Sequence, residues 1–233
     1  MTETVKTNRR RTTRRRIGFL GGVSALLVVA SLLALAIGSV RVPLPDLLGA
    51  VLGGGSELHR NIVWRNRLPR VLGAIVAGGG LAVAGAAMQT VLRNPLGAPY
   101  TLGISQAAAF GAALAILLTG VGAGSAPGGL LATSLTPIAA FLAGMGSTGV
   151  ILALVTYRNA TPETMILTGV ALGSLFSAGL TLLQYFASDT EVAAIVYWTF
   201  GDVGRAGWPK VLAMTAVVLV ATGYFLGHGW DYD

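Results

Sequence analysis

Few residues in this 233-residue chain have the chemistry to act on a substrate, and their positions exclude several mechanisms. The two histidines, His59 and His228, fall outside the long apolar stretches, so neither can serve there as a buried metal ligand or proton relay. All nine acidic residues also lie outside those stretches. An ionised side chain at mid-membrane costs at least about 2.5 kcal/mol and is the usual mark of proton or ion coupling, so a proton-driven carrier is disfavoured. Cys is absent, which removes a disulfide framework and any thiolate metal site. The glycines between Gly120 and Pro137 are followed by no Lys-Ser or Lys-Thr pair, so that stretch reads as flexible loop rather than a phosphate cradle. No catalytic constellation is visible. The chain is expected to be no enzyme, to hold no metal or cofactor, and to depend on another polypeptide if its work requires ATP.

The elements that must position the remaining polar residues are membrane helices. Hydrophobic residues make up 54% of the chain and charged ones 11%, against about a quarter charged in soluble domains; the mean hydropathy is +0.72. The apolar residues gather into stretches of about twenty, enough to cross a hydrocarbon core of about 30 Å. Six spans are predicted, near 17–40, 71–91, 102–121, 138–157, 164–187 and 210–227, giving an all-α transmembrane bundle. Seven of the sixteen cations precede the first span, in a basic tail over residues 1–16. That is the pattern of a cytoplasmic anchor rather than of a nucleic-acid surface. The first apolar stretch is too long for a secretory signal, whose core has about 7–15 residues, so it reads as an uncleaved helix. Six crossings return the chain to its starting side, with both ends cytoplasmic and residues 17–233 forming the membrane domain.

The connections differ in kind. Residues 41–70 carry prolines, glycines and five arginines and read as loop with a short interfacial helix. The positive-inside rule disfavours so many arginines on the outer side, so they need another task or the orientation is wrong. Asn94 and Pro95 should stop one helix, because the residue before Pro is pushed out of helical geometry, and Pro99 should delay the next. Val192–Phe200 is apolar but too short to span; it reads as a re-entrant or interfacial helix. Small residues recur four apart at Gly103, Ala107, Gly111 and Ala115, and again at Gly169, Gly173 and Ser177. Each set lines one helical face and lets a neighbouring backbone approach closely; packing is the plain reading, a pathway wall the sharper one.

An ordered set of motifs carries a resemblance. Arg67-Leu68-Pro69-Arg70 is followed by Ala84-Gly85-Ala86-Ala87-Met88-Gln89, Arg93-Asn94-Pro95-Leu96-Gly97-Ala98-Pro99 and Leu102-Gly103-Ile104-Ser105. Leu167-Thr168-Gly169-Val170-Ala171-Leu172-Gly173 and Tyr197-Trp198-Thr199-Phe200-Gly201 complete it. The chain resembles the iron-siderophore and cobalamin permeases of type II ATP-binding-cassette importers. The resemblance implies a permease of the cytoplasmic membrane that works by alternating access. Its partners would be a second permease copy in a homodimer, ATPase subunits that bind the ATP, and an extracytoplasmic substrate-binding protein. It places Arg67 and Arg70 on the external rim, paired with carboxylates of the binding protein. It assigns the pathway wall to the fifth span, with Gly169, Gly173, Ser174 and Ser177, the short outer helix to Thr190–Phe200, and a cytoplasmic gate to Thr161, Pro162 and Glu163. Asn94, Pro95, Gly97 and Pro99 form its turn motif. Such permeases have roughly ten spans, whereas about six are expected here. A shortened, non-transporting membrane scaffold is the alternative, and the chelate is left open.

Overall fold

The computed structural model describes residues 2–52, 54, 56–120, 130–158 and 161–228. The described residues are helical with short turns and carry no strand. In chain order the helices are α1 (Thr2–Ala36), α2 (Leu44–Val51), α3 (Glu57–Ile62), α4 (Leu68–Val91), α5 (Ile104–Thr119), α6 (Leu130–Arg158), α7 (Pro162–Phe186), α8 (Asp189–Phe200) and α9 (Trp208–Gly227). Five helical stretches are long and apolar enough to cross a membrane: Thr13–Ala36, Glu57–Val91, Ser134–Arg158, Pro162–Phe186 and Trp208–Gly227. Large apolar side chains such as Phe19, Leu175 and Leu219 stay exposed on them. In water such surface would be a liability, whereas in a bilayer it is the solvated face.

Three expectations are corrected. The third span, expected at 102–121, is a helix of 16 residues bounded by glycines in left-handed geometry, Gly103 at φ 69° and Gly120 at φ 62°. The connection over 41–70, expected as loop with a short interfacial helix, holds the short helix α2 but is otherwise more helical than expected, because α3 runs through a π turn at Val63–Arg67 into α4 without a break. Pro69 accounts for that turn: a proline ring inside a helix conflicts with the carbonyl four residues back, here that of Arg65, and a widened turn relieves the conflict. Pro137, expected in a loop, lies inside α6. Membrane helices tolerate an internal proline where neighbours satisfy the freed backbone. Most of the remaining connection, 121–129, lies outside the described residues.

Two compact units form, residues 1–76 with 204–215, and residues 77–203 with 216–233. In the first, Leu35, Val42, Leu47, Ala50 and Val63 make an apolar core where the end of α1 meets α2 and the π turn. In the second, α5 packs against α6, α7 and α8. Its buried residues are mainly alanines, with Gly111 among them, and a Cβ on Gly111 would come within 2.5 Å of the Ala139 carbonyl of α6. The short helix expected after the fifth span is α8, 12 residues long, with Ile195 buried against Ala113 and Ile116 of α5.

Candidate functional site

The turn between α4 and α5 builds the first wall of a cavity. Its backbone is held by its own side chains: the Leu96 N–H donates to Asn94 Oδ1 at 2.9 Å, and the Gly97 N–H to the Asn94 carbonyl at 3.0 Å. Arg93 takes a positive φ of 46° just past the end of α4, the usual left-handed exit from a helix. Gly97 sits tightly, since a Cβ there would lie 3.2 Å from both the Asn94 carbonyl oxygen and the Leu92 side chain. Pro99 then opens a 3-10 turn, Pro99–Leu102, in which the Thr101 hydroxyl donates to the Ala98 carbonyl at 2.7 Å and accepts from the Ala98 N–H at 3.2 Å. The chain turns between α4 and α5 over Asn94, Pro95, Gly97 and Pro99.

That turn lands directly on α7. A Cβ on Gly103 would lie 2.5 Å from the Gly169 carbonyl oxygen and 2.8 Å from the Gly173 nitrogen, and one on Gly169 would lie 2.6 Å from Leu102 Cα. The two small-residue faces therefore pack backbone to backbone at one end. Beside this contact opens a cavity of about 560 Å³, and all four residues expected to line a pathway, Gly169, Gly173, Ser174 and Ser177, border it. Packing and cavity lining thus fall on the same glycines.

Three further polar lining residues escaped the sequence reading. Tyr100 and Thr101 come from the 3-10 turn and Gln106 from the first turn of α5. Gln106 Oε1 is buried without a hydrogen-bond partner, about 3.8 Å from where a Gly173 Cβ would stand. Its signal was an amide inside an otherwise Ala-rich helix start, which spacing alone cannot aim. Ser174 turns its hydroxyl back onto the Val170 carbonyl at 3.0 Å, so it offers the cavity chiefly an acceptor. Among the described residues no charged side chain borders the cavity. The lining can form hydrogen bonds but offers no fixed charge.

The start of α7 explains Thr161, Pro162 and Glu163 by local rules. Thr161 is the N-cap, its hydroxyl accepting from the Thr164 N–H at 3.4 Å; Pro162 occupies the first helical position and Glu163 the first turn, where its charge suits the helix dipole. Among the described residues no group of three or more His, Asp or Glu side chains comes together.

The two arginines of Arg67-Leu68-Pro69-Arg70 divide. Arg67 is 8% exposed. Its guanidinium donates to the Leu35 carbonyl at 2.6 Å and to the Val40 carbonyl, both at the C-terminal end of α1. Gly38 makes room, since a Cβ there would stand 2.7 Å from Arg67 Nη2. Arg70 is exposed and its Nε donates to the Gly204 carbonyl at 3.1 Å. Nearby, Trp64 and Trp208 stack with ring centres 5.9 Å apart, and the Trp208 indole N–H donates to the Trp64 carbonyl at 2.8 Å. This corner lies at the opposite end of α1 from the basic tail, across the apolar part of the 24-residue stretch Thr13–Ala36.

Comparison with known proteins gives a consistent picture. The FecCD transport family matches over residues 26–233. An ABC transporter permease protein of Methanocaldococcus jannaschii is 43% identical over 209 residues, covering 89% of this chain and 60% of that protein. The vitamin B12 import system permease protein BtuC of Salmonella arizonae is 33% identical over 207 residues, covering 89% and 58%. The molybdate import system permease protein MolB of Haemophilus influenzae is 31% identical over 220 residues, covering 91% and 61%. A solved structure described as an inward-facing transporter of the metal-chelate ABC type superposes with a TM-score of 0.75 at 27% identity, over 92% of this chain and 63% of that one. The chain thus spans about three fifths of the length of these relatives.

Proposed function

The chain belongs to the FecCD transport family, and from that premise we propose that it serves as the membrane permease subunit of an ATP-binding-cassette importer for a metal-containing solute. Ferric siderophore and cobalamin are the first cargo candidates; the likeness to a molybdate permease adds a smaller oxyanion to the set. The observation that carries the reading is the cavity that brings Gly169, Gly173, Ser174 and Ser177 together with Gln106 on one uncharged wall. A pathway must bind its cargo well enough to admit it and weakly enough to release it. Neutral donors and acceptors on small residues meet that demand better than fixed charges.

In this reading the basic tail is cytoplasmic and the arginine corner faces out, where a substrate-binding protein docks. The start of α7, with Thr161, Pro162 and Glu163, forms the inner gate, and its N-cap and proline hold the backbone there. ATP is hydrolysed on separate subunits, and a second permease copy completes the pathway.

Uptake of labelled ferric siderophore, cobalamin and molybdate is measured in cells carrying the permease with its ATPase and binding protein. One of the three should accumulate in an ATP-dependent manner, and Ser177→Trp, which fills the cavity, should abolish that accumulation. Failure of all three, or a Ser177→Trp permease that transports like the wild type, would defeat the proposal.

A further inference from the structure

We infer that Gln106 determines which solute the cavity takes: its amide makes the site one for a neutral solute that displays amide-type groups, a donor and an acceptor side by side, and not for an oxyanion. This rests on the reading of the chain as a permease and narrows the set of cargoes given there.

Part of the polar lining is already spent on the chain itself. The Thr101 hydroxyl donates to the Ala98 carbonyl at 2.7 Å and accepts from the Ala98 N–H at 3.2 Å, and the Ser174 hydroxyl donates to the Val170 carbonyl at 3.0 Å. Both protons are committed before a solute arrives. Gln106 differs, because its Oε1 is buried and has no hydrogen-bond partner among the described residues. A buried acceptor left in that state costs free energy that an incoming donor restores. An amide holds its acceptor and its NH2 donors in one plane, whereas the hydroxyls of Tyr100 and Ser177 can each donate or accept. Those hydroxyls follow a solute, and the amide selects one. Gly173 keeps the amide approachable: a Cβ there would already touch it, 3.8 Å from both Gln106 Cδ and Oε1. A longer side chain would cover the amide. Its last torsion is broad and two-fold, so either Oε1 or the NH2 can turn to a bound molecule.

Size and charge point the same way. A volume of about 560 Å³ has room for a drug-sized molecule or one edge of a larger chelate, far more than a small tetrahedral oxyanion needs. Among the described residues the cavity is bordered by no charged side chain, so an oxyanion would give up hydration with no countercharge to replace it. The start of α5 speaks for an anion, since its N-cap Gly103 has no side chain to occupy the first N–H groups of the helix. Molybdate is therefore the proper competitor. A neutral amide instead pairs with Gln106 through one N–H and one carbonyl and satisfies Oε1 in the same step. A site built for that pairing rejects solutes that lack it, because its own polar atoms would then stay unpaired.

The chain has no cysteine, so Ser177→Cys puts a single thiol in the cavity, and its maleimide labelling is followed on the whole chain in lipid nanodiscs. Three probes compete with the label: cyanocobalamin, which displays carboxamides, a ferric trihydroxamate built on a peptide ring, and molybdate. At least one of the first two should slow labelling, and molybdate at equal concentration should not. This comparison needs no change at position 106. Gln106→Leu, which removes the amide, and Gln106→Glu, which keeps its shape but loses the N–H donors, should each raise the half-protecting concentration about tenfold, as expected for loss of two neutral hydrogen bonds. Unchanged protection in either variant overturns the inference. Protection by molybdate, protection by none of the three probes, or a thiol that does not label at all overturns it too. Uptake in the assembled system separates this inference from the permease reading. ATP-dependent uptake of molybdate upholds the permease and overturns the role of Gln106, whereas protection by an amide probe without uptake of any probe keeps the preference of the cavity and removes the permease.

Discussion

Replacing Gly103 by alanine tests the contact on which the cavity is built. The glycine has φ 69°, and a Cβ there would lie 2.5 Å from the Gly169 carbonyl oxygen, 2.8 Å from the Gly173 nitrogen and 3.0 Å from Gly173 Cα. Left-handed geometry costs a non-glycine residue roughly 1–2 kcal/mol, and overpacking against rigid backbone adds roughly 1–3 kcal/mol. The substitution should therefore destabilise the folded chain by about 2–5 kcal/mol, which is roughly thirtyfold or more in the folding equilibrium. Two companions separate the terms. Gly169→Ala keeps ordinary helical φ but meets Leu102 Cα at 2.6 Å and the Thr101 carbonyl at 2.8 Å, so only the packing cost of about 1–3 kcal/mol applies, less up to about 1 kcal/mol gained in helix propensity. Gly85→Ala, within α4 and with no neighbour inside 4 Å, should be neutral or stabilising by up to about 1 kcal/mol. Unfolding of the purified chain in mixed detergent, followed by circular dichroism, should rank Gly103→Ala below Gly169→Ala and both below Gly85→Ala. If Gly103→Ala matched Gly85→Ala within about 0.5 kcal/mol, the close approach of the turn to α7 would be refuted.

Trp208→Phe should keep the ring stack with Trp64 but lose the indole hydrogen bond to its carbonyl, costing about 0.5–1.5 kcal/mol in the same unfolding assay. The Ser188 N–H and hydroxyl both donate to Glu191 Oε2 at 2.8 Å, the backbone bond acting more strongly, and together they hold this exposed carboxyl below the ordinary 4.5. Because the folded form favours the carboxylate, its stabilisation of the start of α8 is complete above 4.5 and is lost as pH falls through the lowered value. The protection of the first-turn amides of α8, taken against their intrinsic exchange rate at each pH, should fall over that acidic window in the wild type, and Glu191→Gln should remove that fall.

Much of the fold is legible because a bilayer makes length a direct signal: a run of about twenty apolar residues has few alternatives to a crossing helix. Asn94-Pro95 announces the end of α4, since it acts within a few residues of itself, whereas the capping of α8 by Ser188 and Glu191, equally local, lies ahead of the start expected at Thr190–Val192. What depends on distant partners is not legible. Nothing near Arg67 in sequence shows that its acceptors are the carbonyls of Leu35 and Val40. Glycines at 53–55 and Pro69 argue for a loop, and only the π turn shows how helix continues from Glu57 to Val91. Gly169, Gly173 and Ser177 are legible as a face of one helix and Ser174 joins them only through the resemblance, yet the amide that shares their cavity, Gln106, comes from another element.

The shortness of α5 has a consequence for solvent. Its 16 residues rise only about 24 Å, some 6 Å less than the hydrocarbon thickness. A bundle that seats this helix within a bilayer must sink at least one of its ends beneath the headgroups. The end that starts at Gly103 is preceded by the single 3-10 turn of Tyr100 and Thr101 and the non-helical link before it, and non-helical backbone at that depth persists only beside protein or water. The adjoining hollow would then be a hydrated dimple reaching into the membrane, and under the permease proposal it would spare a polar solute part of the journey through oil.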